Sequence, residues 1–129
     1  MKVLVLSDGV LKEKEIGSGL EDLQAIVGGY IEVPYISKTL NDNGIDVIIN
    51  EEGKFIEGLK PEIVIVDKKT QQILDVVMGN CIFASHDAEG ETISLSKEQI
   101  DIVKDALKLT VILEYQNTTK KNVVRALFV

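Results

Sequence analysis

An α+β fold, with a largely antiparallel sheet and two helices packed on it, is what this sequence predicts, and three observations carry the prediction. Short runs of β-branched and leucine residues recur along the chain, joined by turns too short for the crossovers that parallel strands need. Leu20, Leu23, Ala25, Ile26 and Val27 have helical spacing and run into Gly28-Gly29, where a residue without Cβ takes the left-handed conformation that ends helices. The stretch Leu95-Ser96-Lys97-Glu98-Gln99-Ile100 carries a complete helix start: Ser96 caps, Gln99 returns the bond, and Leu95 staples onto Ile100.

The elements follow in order. Val3 to Leu6 reads as a buried strand closed by the turn Ser7-Asp8-Gly9. Lys12-Glu13-Lys14-Glu15 alternates charge and reads as a solvated edge or loop. Ser18 and Glu21 have the spacing of a reciprocal cap for the first helix. Tyr30 to Ile36 alternates as a strand, which Pro34 confines to an edge or bulge because it lacks an N–H. Asn41-Asp42-Asn43-Gly44 is a turn, Ile45 to Ile49 the next strand, and Glu51-Glu52-Gly53 a hairpin loop into Lys54-Phe55-Ile56. Glu62–Val66 and Gln72–Val77 flank the polar turn Asp67–Thr70 as a second hairpin. Met78-Gly79-Asn80 then turns into Cys81–Ala84. Asp87–Gly90 is a loop before Thr92–Leu95, and the second helix presents Ile100, Val103 and Leu107 on one face. Leu109–Tyr115 and Asn122–Val129 read as two strands across the polar loop 116–121. The 129 residues are expected to form a single domain, 1–129, with 109–129 as a terminal β-hairpin extension. The apolar residues near Val129 either pair into the main sheet or form a subunit contact.

Composition narrows the function. A net charge of −7, with 13 Lys and Arg125 as the one Arg, argues against direct nucleic-acid binding, which needs clustered cations to displace counterions. Cys81, alone, excludes an intramolecular disulfide and fits a reducing cytoplasm. The N-terminal apolar run is too short for a signal peptide, and no segment has the length of a membrane span. The expected location is the cytoplasm, with no membrane partner.

No catalytic set, cofactor site or metal site is expected from the residues. Gly28-Gly29 follows a helix, whereas a phosphate cradle places its glycines before one, so the pair reads as a helix stop. His86 beside Asp87 is the sole histidine and would need borrowed carboxylates to hold zinc. Cys81 sits among apolar residues with no cation beside it to generate a thiolate. Tyr30 and Tyr35 stand an odd number of positions apart, on opposite strand faces, so at most one of them can line a given pocket.

The helix ending in Val27-Gly28-Gly29-Tyr30-Ile31-Glu32, the turn Asn50-Glu51-Glu52-Gly53-Lys54 and the strand Val76-Val77-Met78-Gly79-Asn80-Cys81-Ile82-Phe83 together resemble the family called domain of unknown function 3846. That family is carried by phages and mobile elements, mostly of Firmicutes and Actinobacteria. The resemblance covers about three quarters of the chain. After the Asn-Glu-Glu-Gly turn only Pro61 remains of the family's Pro/Asn-containing segment, and the strand pair after Leu109 looks like an addition. The resemblance implies a small accessory protein of a phage or mobile element, of a kind that often counters host defence in the host cytoplasm. The expectation is a non-enzymatic binder that sequesters a small nucleotide-derived host immune signal in pockets between the subunits of a homo-oligomer. Candidate ligand-binding residues are Gly28, Gly29, Tyr30, Lys54, His86 and Arg125, with Lys68 and Lys69 as further cations. The alternative is an acidic protein-binding inhibitor, a nucleic-acid mimic of the anti-restriction or anti-CRISPR type, acting through carboxylates such as Glu51, Glu52, Asp87 and Glu89.

Overall fold

The computed structural model describes residues 1–114 and 121–129. Its architecture is mixed and strand-rich: β1 (Lys2–Ser7), β2 (Val10–Glu15), α1 (Leu20–Val27), β3 (Ile31–Glu32), α2 (Lys38–Asp42), β4 (Ile45–Asn50), β5 (Pro61–Val66), β6 (Ile73–Met78), β7 (Cys81–His86), β8 (Thr92–Ile93), α3 (Lys97–Ala106), β9 (Thr110–Glu114) and β10 (Lys121–Phe128). The strands are mostly antiparallel, as expected, but they form two sheets. One has the order β2-β1-β7-β4-β3 with β8 on β7, and the other has the order β6-β5-β10-β9. The parallel exception is β10 on β5, with Arg125 opposite Ile63 and Phe128 opposite Val66.

Three helices are described, where the sequence predicted two. The additional one is α2, whose start is marked by Ser37: its hydroxyl accepts from the Leu40 N–H at 3.3 Å, and Leu40 is buried. The first helix also begins one residue later than the Ser18–Glu21 spacing suggests. Gly19 is its N-cap, and the Asp22 carboxylate accepts from the Gly19 N–H, which turns Leu23 and Val27 inward and leaves Leu20 exposed. The α3 start matches expectation. Ser96 Oγ accepts from Gln99 N–H at 3.1 Å, and Gln99 Oε1 accepts from Ser96 N–H at 2.9 Å. The Gln99 amide also donates to Asn43 O and Ser85 Oγ, fastening α3 to the segment before β4 and to β7.

The main core lies between the sheets. Leu4, Leu6, Val47, Cys81 and Phe83 of the first sheet pack with Ile63, Ile65, Val77 and Leu127 of the second, and Ile100, Val103 and Leu107 close the same cluster. Alternate residues of the first sheet, Val3, Val5, Ile48, Ile82 and Ala84, point the other way and take Leu23 and Val27 of α1. Both faces of β1, β4 and β7 are thus buried, one by the second sheet and α3 and the other by α1. The charged run Lys12–Glu15 is an exposed edge strand, where alternating charges discourage pairing with another chain.

Two further expectations are corrected, and one expected turn proves to cross between the sheets. Lys54-Phe55-Ile56 is not a strand: Phe55 N–H bonds Glu52 O at 2.9 Å and Ile56 N–H bonds Gly53 O, closing a 3-10 turn over Gly53–Phe55. Of Tyr30–Ile36 only Ile31 and Glu32 pair, since Pro34 offers no donor to continue the ladder against β4. The Met78-Gly79-Asn80 turn links β6 in one sheet to β7 in the other, so it crosses between layers and makes no hairpin. Of the polar loop predicted at 116–121, Lys121 opens β10 and the remainder lies outside the described residues, as does Tyr115.

Candidate functional site

The segments that carry the family resemblance meet at the C-terminal end of α1. A helix leaves its last carbonyls without intrahelical partners. Gly28, at φ 84°, reverses the chain, and the Gly28 and Gly29 N–H groups both donate to Gln24 O at 2.8 and 3.2 Å. The Asn50 side chain donates to Val27 O at 3.1 Å, and the Asn80 side chain donates to Ile26 O at 3.0 Å. Asn50 is buried, and its Oδ1 accepts from Glu52 N–H at 2.8 Å, which sets the turn that follows β4. The approach is close. A Cβ on Gly53 would stand 2.8 Å from Met78 O, and one on Gly29 would stand 2.9 Å from Asn50 Nδ2. The Val-Gly-Gly-Tyr, Asn-Glu-Glu-Gly and Met-Gly-Asn segments are thus one interlocked junction in which every named polar group is spent on the fold.

Two concavities flank this junction. On one side a shallow groove is bordered by Glu21, Gln24, Gly28, Gly29, Tyr30 and Ile56. On the other a cleft of about 340 Å³ runs between the β3–β4 side of the first sheet and β6 of the second. Tyr35 and Phe55 line it while remaining 68% and 87% exposed. Lys54 lies in the cleft, ion-paired to Asp75 at 2.5 Å. Partial burial works to raise the Asp75 carboxyl, but the hydrogen bonds from Lys54 and from the Val76 N–H outweigh it and hold the group below its ordinary value. The Asp75 carboxyl is therefore ionised at neutral pH and takes up a proton only below the ordinary carboxylate range. Tyr30 lines the groove and Tyr35 the cleft, in keeping with their odd spacing.

The six candidate residues do not converge. Gly28, Gly29 and Tyr30 border the groove, and Lys54 lies in the adjoining cleft. His86 stands at the end of β7, where its Nδ1 meets Asp46 Oδ2 at 2.9 Å. Arg125 donates to Gly9 O at 2.9 Å and to Leu107 O at 3.0 Å, tying β10 to the β1–β2 turn and to the end of α3. Lys68 borders a separate hollow with Asp101, Asp105 and Lys108. Tyr35, Phe55 and Asp75 were missed. Asp75 did leave a signal, as an acid inside the apolar run Ile73-Leu74-Asp75-Val76-Val77. Exposed aromatics leave none, because a sequence does not say which Tyr or Phe stays in water.

Cys81 is fully enclosed. Burial, reinforced by the nearby Glu62 carboxylate, pushes its thiol far above the ordinary value, so it is not a nucleophile at neutral pH. Among the described residues no group of three or more His, Cys, Asp or Glu is placed to hold a metal ion.

Glu62 is the unusual acid, 2% exposed, with Oε2 and Oε1 accepting from the Asp8 and Gly9 N–H groups at 2.9 Å each. Burial raises its carboxyl above the ordinary 4.5, against the opposing pull of those two N–H groups. Asp8 adds to the rise and Lys60 opposes it. Between 4.5 and the higher folded value the native state holds a proton that the unfolded chain has released, so stability falls as pH rises across that window. Glu62→Gln keeps one acceptor but turns an amide donor toward an N–H, at a cost of about 1–3 kcal/mol at the acid end of the window. The gap between native and variant should narrow toward neutral pH. Urea melts at several pH values check this, and a gap that widens with pH contradicts it.

Residues 1–108 match the family described as Domain of unknown function (DUF3846). The chain belongs to that family. No curated protein and no solved structure matches it. Among the described residues no helix is long and apolar enough to cross a membrane.

Proposed function

We propose that this protein is a small non-enzymatic accessory protein of a phage or mobile element, working in the host cytoplasm against host defence. In this reading it forms a homo-oligomer and sequesters a nucleotide-derived immune signal in the cleft beside Asn50. The observation that supports the reading is the cleft itself, where Tyr35 and Phe55 line a space of about 340 Å³ and yet stay mostly in water. Aromatic faces left open beside a cavity suit stacking on a flat ring, and such stacking contributes about 1–3 kcal/mol per base. The phage setting and the counter-defence role rest on the family alone.

A ligand that binds only the folded state raises stability by about 2.7 kcal/mol at a concentration of 100 times Kd. A melting series with cyclic nucleotides and ADP-ribose derivatives should therefore show a rise for at least one compound. The double variant Tyr35→Ala, Phe55→Ala should lose that rise while melting like the native protein without ligand, since both rings are exposed. Failure of every compound to move the native melting temperature overturns the reading.

A second reading is an acidic inhibitor that binds a basic protein surface as a nucleic-acid mimic. It is favoured by the exposed Glu51 and Glu52, which with Glu32 gather carboxylate charge around the same end of the molecule. Exchanging Glu51 and Glu52 for Gln should then abolish inhibition of a restriction or CRISPR nuclease with the melt unchanged. Full inhibition by that variant would dispose of the mimic.

A further inference from the structure

Resting on the sequestration reading, we infer that the cleft takes the base-and-ribose end of its ligand and leaves any phosphates in solvent, so that the preferred ligand class is a nucleoside or its weakly charged derivative. The charges lining the cleft decide the orientation. Glu32, Glu51 and Asp75 bring three carboxylates to it, against Lys54 as the one cation among the residues that line it. Asp75 already neutralises that cation at 2.5 Å, so a phosphate entering the cleft meets uncompensated negative charge.

The same groups suit the other end of a nucleotide. Carboxylates accept hydrogen bonds and, when ionised, donate none, so they match the hydroxyls of a ribose and the exocyclic amino group of a base. An acidic side chain on a ribose hydroxyl is a recurrent way of holding a nucleotide's sugar. Tyr35 and Phe55 supply faces for the ring. Another place to seat phosphate at this end would be the backbone of Gly28 and Gly29. Their N–H groups are both spent on Gln24 O, and they stand at the negative end of α1, which repels an anion.

The test is a calorimetric titration of the native protein with the four ribonucleosides and their 5′-mono- and triphosphates, alongside the cyclic nucleotides and ADP-ribose derivatives. Expected is binding of at least one nucleoside, with affinity falling at least tenfold from nucleoside to triphosphate at low ionic strength. That gap should close as salt is added, because screening weakens the repulsion. Glu51→Gln combined with Asp75→Asn should also narrow it. A triphosphate that binds more tightly than its nucleoside, and loses that advantage in Lys54→Met, overturns the inferred orientation while leaving sequestration standing. So does a cyclic nucleotide or ADP-ribose derivative that binds when no nucleoside does. Absence of binding across the whole set overturns sequestration and the orientation together.

Discussion

Ending the chain after Lys108 should abolish cooperative folding, although residues 1–108 are the whole of the family match. The segment beyond supplies β9 and β10, and β10 lies inside the second sheet, between β5 and β9. It buries Val124, Ala126 and Leu127, the last of these in the core shared by both sheets. Each buried Val or Leu contributes about 1.5–3 kcal/mol, so the loss is a large share of the 5–15 kcal/mol that holds a typical domain together. All six residues of β5 are buried in the intact chain. Without β10 that strand would present an unpaired apolar edge, the kind that pairs with other chains. The truncated protein should be recovered as aggregate, or show a non-cooperative thermal melt by circular dichroism. A soluble fragment melting within a few degrees of the intact chain would show that the second sheet holds without β10.

Asn50→Ala should be the most damaging exchange of a single polar side chain at the α1 junction, costing about 2–4 kcal/mol, because it takes the partners from a buried and a part-buried backbone group at once and empties a buried site. Val27 O loses its donor and Glu52 N–H loses its acceptor. The expected fall in melting temperature is on the order of 10 °C for a domain of this size. Asn50→Asp should be no milder, since it keeps the acceptor for Glu52 but sets a carboxylate oxygen against Val27 O. A variant that melts within about 2 °C of the native protein would mean that water replaces both bonds, contrary to the burial of the site.

What could be read in advance was whatever depends on neighbours in sequence. The Ser96–Gln99 capping box, the Gly28 stop and the Asp67–Thr70 turn are local chemistry, and all three stand as expected. Asp67 holds its turn by accepting from the Lys69 and Thr70 N–H groups. The division into two sheets was not legible, because β6 and β7 are joined by a short Gly-Asn turn that looks the same whether it folds back within a layer or crosses to another. The parallel register of β10 on β5 depends on partners far apart in the chain, which no local pattern encodes. Likewise the sequence offered Asn50 only as part of a loop. Its value lies in a carbonyl 23 residues earlier. The cleft was invisible for the same reason, since Tyr35, Phe55 and Asp75 come from three separate segments.

The pairing of β10 with β5 also sets a timetable for the chain as it is made. Ile63 is opposite Arg125, a separation of 62 residues, so β5 leaves the ribosome well before the strand that will cover it. Contacts over such distances carry a closure cost before any reward, and they slow folding. At about 5–20 residues per second, β5 waits several seconds with only β6 beside it. During synthesis a strand that ends up buried along its whole length is thus in search of a partner, and its protection in that interval falls to chaperones or to the speed of translation.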